Sequence, residues 1–548
     1  MSRQHVVIVG AGAAGLSAAA HLASAGLHVT VLEKNSRPGG RCARIERDGH
    51  TFDTGPTLLV MPGLYELEFA ALGERLRDRL TLRRVDPTYH LRFDDGSRLD
   101  LTSDLERMRA QLEAIEPGSF ARLQSYLDEG GRHYRLLINR IARRNFRTLG
   151  EYLTPSNLLL SLQLHAQQSH YRRVGTYFRT ERLRNAFSFQ DMYVGISPFQ
   201  AMATFSMLQY IELAEGVWHP EGGMSRITDA LYDVAVERGA EVWFEAPATQ
   251  IEIQKARATG VRLANGSLLP ADVVLANADL PYVYRELLPD AGPARRLERK
   301  TYSCSTISFL WAVDRVVPEV SAHSLFLSDD YRANFNDILK RKTIPANPTV
   351  YLHAPARLDP GMAPTGMDTL IAIVPLCHLD PGARQDWPAI TQQARQAALQ
   401  RVASLGVTDL EAHLRFEIRI DPSEWQRRFN LVRGATHGLA HTLLQMGWFA
   451  RTIATTATAI CTLPAPAHTP APDCRRPSSP AAWQPSAFSR TSRPPADLAQ
   501  GGERPGSSRS HRDRCPALLR INRGGSSPPR LRFTLTFAIS ARSQATAT

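Results

Sequence analysis

The stretch HVVIVGAGAAGLSAAAHLASAGLHVTVLEK, residues 5–34, decides the fold. The apolar run Val6–Val9 predicts a buried strand, the Ala- and Leu-rich segment after it predicts a helix, and Val29–Glu33 predicts a second strand. A strand, a glycine turn, a helix and a strand in this order are typical of a β-α-β unit in a parallel sheet. The fold class is therefore predicted to be α/β, with a Rossmann-type dinucleotide-binding domain.

The glycine turn carries the pattern G-x-G-x-x-G at Gly10, Gly12 and Gly15. The first glycine makes the tight turn, the second lets the backbone approach a pyrophosphate, and the third lets the helix pack on the strand. The N–H groups at the helix N-terminus then favour the phosphates. Glu33, at the end of the second predicted strand, is placed to accept hydrogen bonds from ribose hydroxyls. These residues indicate an adenine dinucleotide, and by themselves they leave flavin and nicotinamide open.

Two further motifs narrow that choice. RPGGR (37–41) follows the acidic strand, and FDTGPTLL (52–59) comes eleven residues later. Together with the glycine motif they resemble the extended fingerprint of the amine-oxidase-like flavoproteins. The resemblance implies FAD as the cofactor. It also implies that RPGGR lies over the FAD pyrophosphate and that the D-x-G-P part of FDTGPTLL runs near the flavin. The cofactor-binding residues that it implies are Gly39, Gly40, Arg41, Gly55, Pro56 and Thr57.

The rest of the chain predicts a discontinuous cofactor domain. The segment 241–253 alternates as a single strand does, and a hairpin is expected around Asn265-Gly266, followed by a buried strand at 272–275. Residues 1–100 and 220–290 are predicted to form the two parts of the FAD-binding domain. Residues 101–219 between them are predicted to be a helical substrate and membrane-associating region. Residues 291–449 are predicted to form an inserted α+β substrate domain with the start of a C-terminal FAD segment, and 450–548 a disordered tail.

The segments between these parts resemble the bacterial and fungal type of phytoene desaturase over residues 5–449. FSFQDMYVGISPF (187–199) and GVWHPEGG (216–223) carry the resemblance, together with YLHAP (351–355) and FNLVRGATHGL (429–439). It implies a peripheral membrane enzyme that introduces double bonds into 15-cis-phytoene on the way to lycopene or a related carotene, by hydride transfer to FAD. Oxygen and a quinone both stay open as the electron acceptor. A carotenoid isomerase or ketolase, another amine-oxidase-like flavoprotein such as an amine or protoporphyrinogen oxidase, and an inactive flavin-binding remnant are the alternatives.

A hydrocarbon substrate offers no hydrogen-bonding groups, so its tunnel is expected to be lined by apolar and aromatic side chains. A polar residue in such a tunnel would be exceptional, and Asp191 and Arg184 are the candidate catalytic residues for handling the proton. An ordinary salt bridge is the alternative for both. No metal-binding pattern is found in the sequence.

The segment 140–178 predicts contact with a membrane surface. It carries Arg140, Arg143, Arg144, Arg147, Arg172 and Arg173 around a Leu-rich helix that begins after Pro155. Basic residues beside an apolar helix suit an interface with anionic headgroups. Because the N-terminus lacks the pattern of a signal peptide and the cysteines form no disulfide framework, a cytoplasmic, peripheral membrane location is expected.

The formal net charge of +12 does not indicate a nucleic-acid partner. Residues 450–548 carry 14 Arg, no Lys and only four acidic residues, so the tail holds +10 of that charge. If one base is missing just after the Phe449 codon, Cys461-Thr462-Leu463 can be restored to Leu-Tyr-Phe, and residues 464–477 can be restored to AGASTHPGTGLPTA, a flavin-contacting motif of the family. We therefore interpret the tail as a message read out of frame.

Overall fold

The computed structural model describes residues 3–142, 149–255, 257–288, 291–442, 445 and 460–462. The strands are β1 (His5–Val9), β2 (His28–Leu32), β3 (Arg44–Arg47), β4 (His50–Asp53), β5 (Leu59–Val60), β6 (Leu82–Val85), β7 (Tyr89–Arg92), β8 (Arg98–Leu101), β9 (Val217–Pro220), β10 (Glu241–Trp243), β11 (Ala248–Gln254), β12 (Arg257–Leu263), β13 (Leu268–Pro270), β14 (Val273–Ala276), β15 (Ser305–Val313), β16 (His323–Phe326), β17 (Val350–His353), β18 (Asp368–Leu376), β19 (Leu414–Ile420) and β20 (Ile460–Thr462). The helices are α1 (Ala13–Ser24), α2 (Pro62–Ala71), α3 (Leu76–Arg79), α4 (Leu105–Ile115), α5 (Ser119–Leu137), α6 (Leu149–Tyr152), α7 (Pro155–Gln163), α8 (His170–Val174), α9 (Glu181–Ala186), α10 (Met207–Tyr210), α11 (Arg226–Glu237), α12 (Leu280–Tyr282), α13 (Ala291–Glu298), α14 (Tyr331–Asn336), α15 (Trp387–Ala403) and α16 (Pro422–Phe429).

A five-stranded parallel sheet in the order β10-β2-β1-β14-β20 confirms the predicted α/β class. Successive residues of β1 point into different cores, because Val6 and Ile8 pack with α1 and α11 while Val7 and Val9 pack against the antiparallel sheet β11-β12-β13. Both faces of the parallel sheet are buried at its centre, which is why Val6–Val9 of β1 and all of β14 are unbroken apolar runs. Three of its strands come from beyond residue 240, so the sheet is discontinuous in sequence, as predicted.

The single strand expected at 241–253 is wrong. The segment forms β10 in the parallel sheet and β11 in the antiparallel sheet. Glu245 between them has a φ of 52°, and the backbone N–H of Ala246 donates to the carbonyl of Glu33. This left-handed residue turns the chain from one sheet to the other, and an alternating pattern cannot distinguish one long strand from two short ones. The predicted hairpin around Asn265-Gly266 is confirmed, and it joins β12 to β13.

A second, seven-stranded sheet has the order β19-β15-β18-β17-β16-β7-β8. Its central strands β15 and β18 are nine residues long, and α15 covers one of its faces. Phe52, from β4, packs on the other face among Leu310 and Ile371. β7 and β8 belong to this sheet although they come from the first 101 residues. The predicted boundaries between domains stay predictions.

The region before α11 is mainly helical. The helix predicted after Pro155 is confirmed as α7, where the side chain of Thr154 accepts a hydrogen bond from the N–H of Asn157 at 3.2 Å. Within the described ranges no helix is long and apolar enough to cross a bilayer. The predicted tail lies outside the described residues except for β20, which pairs with β14 in parallel.

Candidate functional site: a dinucleotide cradle

The glycine turn lies between β1 and α1, and its backbone makes close contacts with neighbouring backbone atoms. Gly10 has a φ of 105°, a value that favours glycine, and its N–H donates to the carbonyl of Leu32 at 2.8 Å. A Cβ added to Gly15 would lie 2.2 Å from the carbonyl oxygen of Gly10. The turn therefore requires glycine at both positions, and it leaves the N-terminus of α1 open to a phosphate group.

Glu33 lies at the carboxyl end of β2, beside the glycine turn. Its carboxylate is buried, and it accepts hydrogen bonds from the backbone N–H of Ala11 at 2.9 Å and of Asn35 at 2.9 Å. Oε1 also accepts from the side-chain amide of Asn35 at 2.7 Å, whereas Oε2 accepts only from Ala11 among the described residues and keeps capacity for a further hydrogen bond. Such an oriented acceptor suits the ribose hydroxyls of a dinucleotide.

The RPGGR segment packs directly on the glycine turn. The N–H of Gly39 donates to the carbonyl of Ala11 at 2.9 Å, and Gly39 pairs with Gly12 in a short parallel bridge. A Cβ on Gly40 would lie 3.3 Å from the Cα of Gly12. The two glycine-rich segments therefore form one cradle, and the predicted contact of RPGGR with the FAD pyrophosphate stays a prediction.

Arg41 and Gly55 join this cradle to the FDTGP segment. A Cβ on Gly55 would lie 1.9 Å from the carbonyl oxygen of Arg41, so no other residue fits there without a backbone shift. The guanidinium of Arg41 donates to the carbonyl of Thr436 at 2.7 Å, and burial lowers the pKa of Arg41. Thr57 makes a 2.7 Å hydrogen bond to the hydroxyl of Tyr351, whereas the neighbouring Pro56 is exposed.

Three polar residues that hold the cradle were not singled out by the sequence. The amide of Asn277, just after β14, donates to the carbonyl of Gly10 at 3.0 Å. Asp279 accepts from the N–H of Val432 at 3.0 Å, and Asp53 accepts from the N–H groups of Met224 and Ser225 at 2.8 and 3.2 Å. Burial raises the pKa of each carboxyl to about 6. Asn277 and Asp279 follow directly after a buried strand, the place where cofactor-edge residues of a parallel sheet are expected.

The segment 187–199 carries one exposed aromatic side chain near the cradle. Tyr193 is 37% exposed, and desolvation of its phenol raises the pKa well above the ordinary value. His437 contributes to the same part of the molecule, since a Cβ on Gly195 would lie 2.7 Å from its ring and the charge of Arg41 affects its pKa.

The imidazole of His437 is neutral, because burial first and Arg41 second lower its pKa to about 3. A phenol and a neutral imidazole suit a substrate without charge. The aromatic side chains proposed to line a tunnel divide into two groups. Phe187 and Phe189 are packed in the core, whereas Tyr193 is accessible.

The two candidate catalytic residues have different partners and different burial. Asp191 is fully buried and forms a 2.8 Å hydrogen bond with Nδ1 of His170, and burial raises its pKa. Arg184 is half-buried, and its Nε donates to the carbonyl of Phe178 at 2.9 Å. Asp191 has no accessible surface through which to touch a substrate. The catalytic roles of both residues stay predictions.

Comparison with known proteins is consistent with this geometry. The model of the flavin containing amine oxidoreductase family matches residues 13–418. The chain is 40% identical over 481 residues to a phytoene desaturase of Cercospora nicotianae, covering 81% of this chain and 78% of that one. It is 40% identical over 448 residues to a zeta-carotene-forming phytoene desaturase of Myxococcus xanthus, covering 81% and 86%. The structure of putrescine oxidase bound to putrescine superposes with a TM-score of 0.54 at 15% identity, covering 84% and 93%, which shows a shared fold.

Gly15→Ala tests the cradle. Its added Cβ would also meet the amide nitrogen of Asn277 at 2.6 Å, so the turn must open and we expect the Kd for FAD to rise at least about tenfold, the equivalent of about 1.4 kcal/mol. Titration of the apoprotein with FAD, followed by flavin fluorescence, measures the change. Gly63→Ala, in α2, is the matched control because no atom lies within 4 Å of its added Cβ. Equal affinity in both variants would contradict the assignment of the cradle.

Proposed function

The chain belongs to the flavin containing amine oxidoreductase family, and from that premise we propose that it is a phytoene desaturase that uses FAD. The similarity to phytoene desaturases over four fifths of the chain carries this proposal. The site fits it, because glycine-rich backbone segments form a cradle for a dinucleotide and the nearby His437 side chain is neutral.

The cradle favours FAD over a mononucleotide flavin. The N-terminus of α1 can hold a pyrophosphate, and Glu33 is placed for the adenosine ribose, a group that FMN lacks. Bound FAD supplies the oxidant that takes a hydride from the carbon next to a double bond. The chain supplies the binding, the orientation and the exclusion of water, and Arg41 adds a positive charge beside the cradle.

The substrate is a carotene hydrocarbon, and 15-cis-phytoene is the proposed one. A hydrocarbon is recognised by shape and apolar contact, so the neutral state of His437 and of the Tyr193 phenol suits its passage. A carotenoid isomerase or ketolase on the same fold would act on a molecule of the same class. These alternatives have no better support from the site, and their products differ from those of a desaturase.

Incubation with phytoene tests the function. We expect the FAD-loaded protein, supplied with phytoene in lipid vesicles, to yield carotenes with additional conjugated double bonds, detected by their visible absorption and by chromatography. Parallel reactions with oxygen and with a quinone under anaerobic conditions identify the electron acceptor. Boiled protein and protein without FAD are the controls. An isomerised or oxygenated product without new double bonds would contradict the desaturase proposal.

The C-terminal sequence bears on how active the chain is as written. β20 is parallel to β1 and β14, so its carboxyl end lies at the same edge of the sheet as Gly10. In the restored frame the motif AGASTHPGTG follows this position, where a glycine-rich turn can approach a flavin. We propose that the chain as written has lost that contact through a frameshift after Phe449, and that it holds FAD weakly.

Restoring the frame tests this proposal. Inserting one base after the Phe449 codon is expected to lower the Kd for FAD at least about tenfold, because an additional backbone segment contacts the cofactor. The matched control is the insertion of three bases at the same point, which adds a residue and keeps the present frame. Equal affinity in the two products would show that the tail as written is the native one.

A membrane surface is the proposed source of the substrate. Leu153, Leu158, Leu159 and Leu162, on or just before α7, each have more than half of their side-chain surface exposed, while Leu160 faces the core. Exposed Arg140 and Arg172 lie in the same region of sequence. An apolar helix face with basic neighbours suits the interface of an anionic bilayer. Arg143, Arg144 and Arg147 lie outside the described residues.

Leu158→Glu combined with Leu159→Glu tests the membrane surface. Removing two leucines from the bilayer costs about 1.5–3 kcal/mol for each side chain, so vesicle binding is expected to fall well over tenfold. Co-sedimentation with vesicles that contain anionic phospholipid measures it. Leu268→Glu, on the exposed strand β13, is the control and is expected to bind as the unsubstituted chain does. Undiminished binding of the double variant would exclude α7 as the contact.

A further inference from the structure

A pocket of about 450 Å³ lies between α5 and the end of α7. Six side chains line this α5–α7 pocket: Glu129, Arg132, His133, Leu136, Gln163 and His165. The first four belong to α5, Gln163 is the last residue of α7, and His165 follows two positions later. The volume is within the range of about 300–1,000 Å³ that is typical of sites for small molecules. The dinucleotide cradle shares none of these residues, so the pocket is a second candidate site.

The carboxylate in the lining is already engaged by the protein. Glu129 is 2% exposed, and Arg173 donates to it through Nε at 2.9 Å and through a second guanidinium nitrogen. The hydroxyl of Tyr177 donates a third hydrogen bond at 3.1 Å. Burial raises the pKa of Glu129, but the hydrogen bonds and the charge of Arg173 outweigh burial and lower the pKa overall. Because a guanidinium matches this carboxylate, the pair adds no net negative charge to the pocket.

Arg132 brings a positive charge that the protein does not neutralise. Its side chain is exposed, and its guanidinium has no ion-pair or hydrogen-bond partner within the described ranges of the chain. Asp128 lies one turn earlier on α5, where a helix allows an ion pair with Arg132, yet none forms. A free guanidinium presents N–H donors in a planar fork that matches two oxygens of a phosphate.

Two further donors come from the end of α7. The side-chain amide of Gln163 is exposed and has no hydrogen-bond partner in the part of the chain that the structure describes. The chain turns at His165, whose φ is 49°, and its ring is edge-on to His133 with 6.0 Å between the ring centroids. Nε2 of His165 is 3.9 Å from Oε2 of Glu129, too far for a hydrogen bond, and its side chain is 32% exposed. A ring N–H of His165 is therefore available to a ligand.

His133 forms the buried part of the wall. It is 2% exposed, and its Nδ1 makes a 2.9 Å hydrogen bond with the hydroxyl of Ser206. Burial lowers the pKa of His133 to about 4, so its imidazole is neutral. The wall behind the three available donors is therefore fixed in position and carries no charge of its own.

The pocket borders the helix face that is proposed to contact the bilayer. Leu159 is 57% exposed and lies four residues before Gln163, so the two side chains share a face of α7. Leu162, the residue before Gln163, is 55% exposed. On α5, Leu136 follows Arg132 by one turn and adds an apolar side chain to the lining. Free phosphate has no group to place against an apolar side chain, whereas a phospholipid has its glycerol and acyl chains.

We propose that the α5–α7 pocket binds the phosphate of an anionic phospholipid and so fixes α7 at the surface of the bilayer. This inference deepens the proposed membrane contact and rests on it. The guanidinium of Arg132 donates to the phosphate oxygens, and Gln163 and His165 supply further donors. Leu136 meets the apolar part of the lipid. The exposed leucines of α7 then supply affinity for any bilayer, and the pocket supplies the preference for an anionic headgroup.

A soluble lipid tests the pocket by itself. Titration calorimetry of the full chain with dihexanoyl phosphatidylglycerol, below the concentration at which it forms micelles, is expected to show one site. Arg132→Gln should raise the Kd at least about tenfold, because hydrogen bonds between two charged groups are lost. Arg135→Gln, which is exposed on the same helix but outside the lining, is the matched control and should keep the Kd. Both variants should bind FAD as the unsubstituted chain does, which shows that the fold is intact.

Two results of this titration would overturn the proposal. Equal loss in Arg132→Gln and Arg135→Gln, or no binding by the unsubstituted chain, would show that the pocket is not a phosphate site. Inorganic phosphate that binds as tightly as the soluble lipid would show that the apolar part of the lipid contributes nothing, and that the ligand is free phosphate.

Vesicles separate this inference from the proposed membrane contact. The unsubstituted chain is expected to co-sediment more strongly with phosphatidylglycerol than with phosphatidylcholine, and Arg132→Gln should lose at least about tenfold of the stronger binding only. If both chains bind phosphatidylglycerol vesicles equally, the inference fails while the leucine contact stands. If the unsubstituted chain binds the soluble lipid but neither kind of vesicle, the membrane contact and the anchoring role fail while the phospholipid site stands.

Discussion

The close approach of three glycine-containing segments is the constraint on which the rest of the structure depends. A Cβ on Gly15 would meet the carbonyl of Gly10, and one on Gly55 would meet the carbonyl of Arg41, at distances that force the backbone apart. Gly40 packs tightly on Gly12. Side chains are excluded from this region, so the backbone itself forms the surface that a dinucleotide contacts. A surface built from main-chain groups is rigid and rich in N–H donors, which is what binding a pyrophosphate requires.

Because the cradle is assembled from distant parts of the chain, buried polar groups are needed to keep those parts in register. Asp53 fixes the FDTGP segment to the start of α11, and Asp279 fixes the end of the parallel sheet to Val432. Each carboxylate accepts backbone N–H groups that would otherwise be buried without a partner. Burial raises the pKa of both, so their ionised forms are held at an electrostatic cost that the hydrogen bonds offset.

The sequence predicted the parts of the fold that are local in the chain. The β-α-β unit and the hairpin at Asn265-Gly266 follow from short-range patterns, and the structure confirms them. The break at Glu245 was missed, because alternation alone does not reveal a change of sheet. At the site, the glycines were found from their spacing. Asn277 and Asp279 were not found, because their roles come from contacts with residues far away in sequence.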